Sequence, residues 1–213
     1  AEGDEDLARQ LLAQWRQMDA RDLPRSEVLR QAIEHSVLAA HRHVFGVLAW
    51  FSVLAALGLG PAGAVLYRLA EFVLRYWQHK SKAHFQPVSD ALQQTAARAW
   101  ALIDWLPARI TAISFAVVGS FEEAIDGWRN YEPTAMGDND GIVLAATAGA
   151  VNLRLGANAA SEAEAQTPDR RADPRLGQTP ELAHLAVIVG LVWRTVVMWV
   201  VLLALLTLAR LLG

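Results

Sequence analysis

An all-α integral membrane bundle is the fold that three observations predict. Apolar residues make up 54% of the chain and mean hydropathy is +0.21, above what a soluble domain needs. The excess sits in blocks separated by charged, Arg-rich segments, which suits membrane helices better than one globular core. The last block, Leu185 to Leu208, is long enough to cross a bilayer and holds a single interior charge, Arg194. The expected architecture is a polytopic bundle with amphipathic interfacial helices and a polar loop. It divides into an amphipathic segment 1–43, a membrane domain 44–156, a mobile linker 157–180 and a C-terminal transmembrane helix 181–213.

Residues from about Leu7 to His43 have helical spacing, broken at Asp22-Leu23-Pro24. Leu7, Leu11, Leu12 and Trp15 share one face. Ser26 can cap the second part, in which Val28, Leu29, Ala32, Ile33, Ser36 and Val37 recur as an amphipathic stripe before the cluster His41-Arg42-His43. From Val44 to Gly60 roughly 17 residues carry no charge, at the lower limit for a span. Gly58, Gly60 and Pro61 interrupt it, and a second apolar run to Trp77 contains Arg68, Glu71 and Arg75. Their spacing of three and four allows pairing on one helical face. A helical hairpin turning at Gly60-Pro61, with that face toward protein, is preferred to a span followed by an amphipathic helix.

A polar connector with His79, Lys80, Lys82 and His84 leads to another helix from about Val88 to Leu106, with Leu92, Ala96, Ala99, Leu102 and Ile103 on one side. Pro107 predicts a kink or a fresh helix start near Leu106. The run Ile110 to Phe121 is too short to span alone, so it is either re-entrant or continuous with the preceding helix. Residues 122–140 are polar and turn-rich, and Asp138-Asn139-Asp140 is expected to be an ordinary turn. Ile142 to Gly156 is rich in small residues that allow close helix packing. The 157–180 segment has no helical period and reads as a loop.

Charge and motif exclude several functions. Net charge is −3 and pI about 6.1, with no basic stripe for nucleic acid. Without cysteine there are no disulfides, thiolate nucleophiles or Cys-based zinc sites. Serine-hydrolase, phosphate-loop and zinc-hydrolase motifs are absent. Glu34, His35, His41 and His43 cluster, but His41 and His43 are two apart and point to different sides of a helix, so a polar interface is preferred to a metal site. The odd feature is Asp104-Trp105-Leu106-Pro107-Ala108-Arg109, which puts opposite charges on either side of a proline at the mouth of an apolar run. Asp104 and Arg109 could pair; alternatively Arg109 snorkels while Trp105 anchors at the interface. A lone charge in the membrane is costly, so Arg42, Glu71, Asp104, Arg109 and Arg194 are expected to form a buried polar network or ligand site. No catalytic residue or metal ligand is assigned.

Three stretches resemble the CobD/CbiB and AmpE superfamily of membrane proteins: Arg42-His43-Val44-Phe45 with Leu48-Ala49-Trp50 and Gly60-Pro61; Ala101 to Ala112, which holds DWLPAR; and Ala148 to Gly156. CobD/CbiB proteins join an aminopropanol derivative to a corrinoid acid with ATP and magnesium. AmpE proteins are inner-membrane signalling modulators linked to AmpD, cell-wall recycling and β-lactamase regulation. The synthase branch carries an AEN-x-x-D segment where this chain has Val37-Leu38-Ala39 and Arg42, so the oxygen ligands a hard cation needs are missing there. The resemblance therefore implies the AmpE-like branch: a non-catalytic, multi-pass inner-membrane protein without cofactor, partnered by lipid and a soluble amidase or other cell-wall recycling protein. The alternative is the synthase of cobalamin biosynthesis, with ATP and magnesium; a third class is a purely structural membrane subunit. Because the chain begins at Ala1 without a signal peptide, and such families begin with further apolar segments, it is expected to be a C-terminal portion or to have lost a leader.

Overall fold

The computed structural model describes residues 24–83, 89–131, 137–156 and 177–212. Among them the regular structure is helical: α1 Arg25–Ala40, a π-helical turn His41–Phe45, α2 Gly46–Ala56, α3 Ala62–Ala83, α4 Asp90–Val118, α5 Phe121–Arg129, α6 Asn139–Val151 and α7 Leu182–Leu212. Among the described residues three stretches are long and apolar enough to cross a membrane: Arg25–Ala56, Ala91–Val118 and Leu182–Ala209. The expected all-α membrane architecture is thus what the chain adopts. The N-terminal helix read over Leu7 to Trp15, and residues 157–176 of the linker expected over 157–180, lie outside the described residues.

Several local expectations change. Pro24, not Ser26, is the N-cap of α1, which fits a ring that supplies no backbone donor at a helix start. The helix does not end at His41-Arg42-His43 but passes through the π-helical turn into α2, making one membrane-length element. Of the alternatives at Pro107, a fresh helix start is not found and the continuous helix is: α4 runs unbroken through it. The reason is local: Pro107 cannot donate to the carbonyl of Ile103 four residues earlier, and the indole Nε1 of Trp50 donates to that oxygen at 2.9 Å. A carbonyl orphaned in the membrane is repaired by the neighbouring helix. The stripe read over the first half of α4 faces outward, with Leu92 and Leu102 exposed, as lipid-facing positions require. Part of the polar 122–140 segment is the helix α5, and the connector from Gln78 is helical as far as Ala83.

The core sits where α4, α6, the π-helical turn and α7 meet. Phe45 and Phe115 are both buried and pack edge to face, ring centroids 5.3 Å apart, and Trp199 of α7 donates to Ser114 of α4 at 3.2 Å. The small residues of α6 do bring helices together: a Cβ at Gly149 would collide with the backbone of Glu123 and Ala124 in α5. The α2–α3 hairpin forms as expected, turning at residues 57–61. The segment after α6 folds back, with Gly156 donating its N–H to Glu34 of α1 at 2.8 Å and Arg154 donating to Gly177 at 2.9 Å.

Candidate functional site

The π-helical turn sets the geometry. Widening the helix for one turn re-aims consecutive side chains, and such bulges gather at functional sites. His41 leaves it toward the core, where it and Asp104 are fully buried. Its Nε2 lies 3.1 Å from Asp104 Oδ1 and its Nδ1 lies 2.9 Å from the Thr111 hydroxyl. Tyr67 of α3 donates its hydroxyl to the same Asp104 oxygen at 2.6 Å. Assigning the His41 proton to Nε2 lets that nitrogen donate to the carboxylate while Nδ1 accepts from Thr111, so both ring nitrogens are used. Three helical segments, the π-helical turn, α3 and α4, are thereby pinned at one buried point. Tyr67 reaches it only because Gly46 has no side chain, since a Cβ there would fall within the Tyr67 ring.

Arg42 leaves the turn in another direction and pairs with Asp140 in the first turn of α6, both side chains part-exposed. Asp138 caps that helix, accepting from the Gly141 N–H at 2.9 Å, so the expected plain turn is a helix N-terminus bearing functional groups. Its first residue, Asn139, is buried and bridges to α4 twice: Nδ2 donates to the Ala101 carbonyl at 2.9 Å, and Oδ1 accepts from Arg109 at 3.0 Å. Burial pushes the Asp140 carboxyl up from its ordinary value; the guanidinium of Arg42 opposes this and the Asp104 carboxylate adds to it. Asp140 Oδ1, Asp104 Oδ2 and Arg42 Nε are buried without a hydrogen-bond partner among the described residues. Such orphaned groups are expensive in a purely structural cluster.

The residues expected to share one network are distributed. Asp104 and Arg42 are adjacent through His41 and Asp140. Arg109 does not pair with Asp104 directly; it holds Asn139 and the Trp105 carbonyl, the latter at 2.9 Å, and stacks over the Trp105 ring at 4.3 Å. Trp105 itself is about half exposed. Glu71 is buried in a separate ion cluster with Arg68 and Arg75. Arg194 is exposed and donates to the Gly190 carbonyl in its own helix at 3.2 Å, away from the others. Of the histidine cluster, His43 faces Arg68 and Glu34 faces Arg30, so they diverge from His41. Because Asp104 and Arg109 make no direct contact, their alanine variants should be additive in detergent unfolding within about 0.5 kcal/mol; a larger coupling would mean that they act as a pair.

Sequence reasoning passed over Tyr67 and Thr111 and assigned no site role to His41, Asn139 and Asp140, read as a polar interface and an ordinary turn. Two signals could have found some of them: His41 lies seven residues after Glu34 and four after Val37 on the buried face of α1, and Asp138 to Asp140 immediately precede an uncharged helix, the position of a cap.

This fold and site define a membrane helical protein with a polar, arginine-bearing cluster where α4, the π-helical turn and α6 converge. Residues 1–189 match the family model described as CobD/Cbib protein, and the chain belongs to that family. It is 36% identical over 159 residues to "Cobalamin biosynthesis protein CobD" of Chromobacterium violaceum, covering 75% of this chain and 48% of that protein. It is 33% identical over 187 residues to the protein of the same name from Stutzerimonas stutzeri, covering 87% and 57%. The chain spans about half the length of these curated relatives. No solved structure matches.

These relatives overturn the AmpE-like signalling reading, and the expectation of an amidase partner loses its basis with it. That reading rests on the apolar and basic residues at Leu38, Ala39 and Arg42. Carboxylates reach the same neighbourhood from elsewhere, Asp104 from α4 and Asp140 from α6, and Arg42 is the partner of the second.

Proposed function

We propose that the protein acts in cobalamin biosynthesis as an amide-forming synthase of the CobD/CbiB type, multi-pass in the bacterial inner membrane, joining an aminopropanol derivative to a corrinoid acid at the expense of ATP. The family and the relatives' names support this reading. The observation that carries it is the convergence of Arg42, Arg109, Asn139 and Asp140 at the N-terminus of α6. Guanidinium groups bind phosphate and carboxylate with directed hydrogen bonds, and a helix N-terminus adds backbone donors and a favourable dipole. Arg109 is preset by the Asn139 oxygen and the Trp105 face. Arg42 keeps its Nε unpaired, so it has a donor left for an anionic substrate.

Magnesium prefers oxygen ligands and is commonly held by one or two carboxylates together with substrate phosphates. Asp140 fits that role through its unpartnered Oδ1, and the ion would there neutralise phosphate charge. Asp104 is fully buried, with its other oxygen held by Tyr67 and His41, so it positions the π-helical turn and does not meet substrate.

The test is product formation by the purified protein from a corrinoid acid, the aminopropanol derivative and ATP–magnesium, read by mass spectrometry. Wild type should form the amide. Asp140→Asn should lose about 10- to 100-fold in rate, the usual scale for disturbing a metal site, while Arg194→Gln, remote from the cluster, should retain it. A folded wild-type protein that makes no amide, and fails to restore cobalamin synthesis in a strain lacking the synthase, would overturn the proposal.

A further inference from the structure

The α3 helix carries a second arginine cluster that the proposed chemistry does not use. Along α3 the buried positions are Gly63, Tyr67 and Glu71, four residues apart. Most of the remaining surface is apolar and exposed: Val65, Leu66, Leu69, Phe72, Val73 and Tyr76. Phe72 and Tyr76 stack with centroids 6.2 Å apart, and Tyr76 meets Trp77 at 5.4 Å. Aromatic groups of this kind mark the level of lipid headgroups. At the same level the buried Glu71 carboxylate lies between two half-exposed guanidiniums. Arg68 is bonded to Glu71 Oε2 and also lies 2.6 Å from His43 Nδ1. Arg75 pairs through one guanidinium nitrogen with Oε1 at 2.6 Å, its side chain half exposed.

Charge completes the pattern. Within α3 the sequence holds Arg68, Arg75, Lys80 and Lys82 against the single acid Glu71. One carboxylate cannot neutralise two arginines, and two lysines follow on the same helix. An apolar helix face beside an excess of cationic groups suits one occupant: a lipid with acyl chains and a negatively charged headgroup.

We propose that α3 is a binding site for an anionic phospholipid of the surrounding bilayer, its headgroup phosphate held by Arg68 and Arg75 and its acyl chains lying along Leu69, Phe72 and Val73. Glu71 holds the two arginines in place and also competes with the phosphate for them. Replacing Glu71 therefore has a sign that distinguishes lipid binding from a merely structural ion cluster.

The experiment is native mass spectrometry of the purified full chain in detergent, titrated separately with phosphatidylglycerol and phosphatidylcholine. Wild type should retain phosphatidylglycerol about five-fold more tightly, the scale expected for one net interfacial charge, and the preference should weaken as salt rises. Arg68→Gln/Arg75→Gln should abolish the preference. Because that variant leaves Glu71 buried without its partners, Glu71→Gln is the companion: it keeps both arginines, removes their competitor and should raise phosphatidylglycerol retention. Equal retention of the two lipids by wild type would overturn the proposal, as would reduced retention in Glu71→Gln. Millimolar inorganic phosphate should not displace the lipid; full displacement would assign the arginines to a free phosphate and overturn the lipid assignment.

Discussion

Asp104→Ala should lower folded stability in detergent by about 4 kcal/mol, because it strips the shared acceptor from two buried donors, each costing about 1–3 kcal/mol when left unpaired. The donors are the Tyr67 hydroxyl at 2.6 Å and His41 Nε2 at 3.1 Å, and both side chains are fully buried. The companion is Tyr67→Phe, which removes one donor and should cost only about 1 kcal/mol in wild type. Added to Asp104→Ala, it should cost nothing or restore part of the loss, since the hydroxyl it deletes is already orphaned. Unfolding midpoints of the four proteins measure the coupling. Additive losses would mean that Asp104 is held by something other than these donors, and that the buried cluster does not organise the convergence of α3, α4 and the π-helical turn.

Much of the architecture is legible in the sequence because membrane burial writes itself in long apolar runs: α7, the α2–α3 hairpin and the close packing of α6 follow from local composition. The Glu71 pairs with Arg68 and Arg75 are equally local, three and four residues apart on one helix. What escapes is whatever depends on which helix lies alongside. Pro107 leaves a kink, a fresh helix start and a continuous helix all open until Trp50, far away in sequence, is found donating to the Ile103 carbonyl. Asp104 and Arg109 read as partners because they flank the same proline. They turn to different neighbours, Asp104 to His41 and Tyr67, Arg109 to Asn139. The π-helical turn leaves no sequence trace at all. It directs His41 and Arg42, adjacent in the chain, onto carboxylates of two different helices, which no local pattern near Arg42 announces.

Gly46→Val should cost about 3 kcal/mol and disconnect Tyr67 from Asp104, because the new side chain would occupy the space of the tyrosine ring. The site follows from the hairpin geometry. Tyr67 lies on the buried face of α3, fully enclosed, and packs on Trp100 with centroids 5.1 Å apart. Its hydroxyl must pass the start of α2 to reach Asp104, and only a residue without Cβ leaves that passage. If this account holds, the penalty belongs to the collision and not to helix propensity, since valine is no worse than glycine in a helix interior. In a Tyr67→Ala background the ring is gone, so Gly46→Val should then add less than about 1 kcal/mol by partly filling the vacated space. Denaturant midpoints of the single and double variants decide it. An equal penalty in both backgrounds would place the strain in the α2 backbone, and Gly46 would then have no part in positioning the polar cluster.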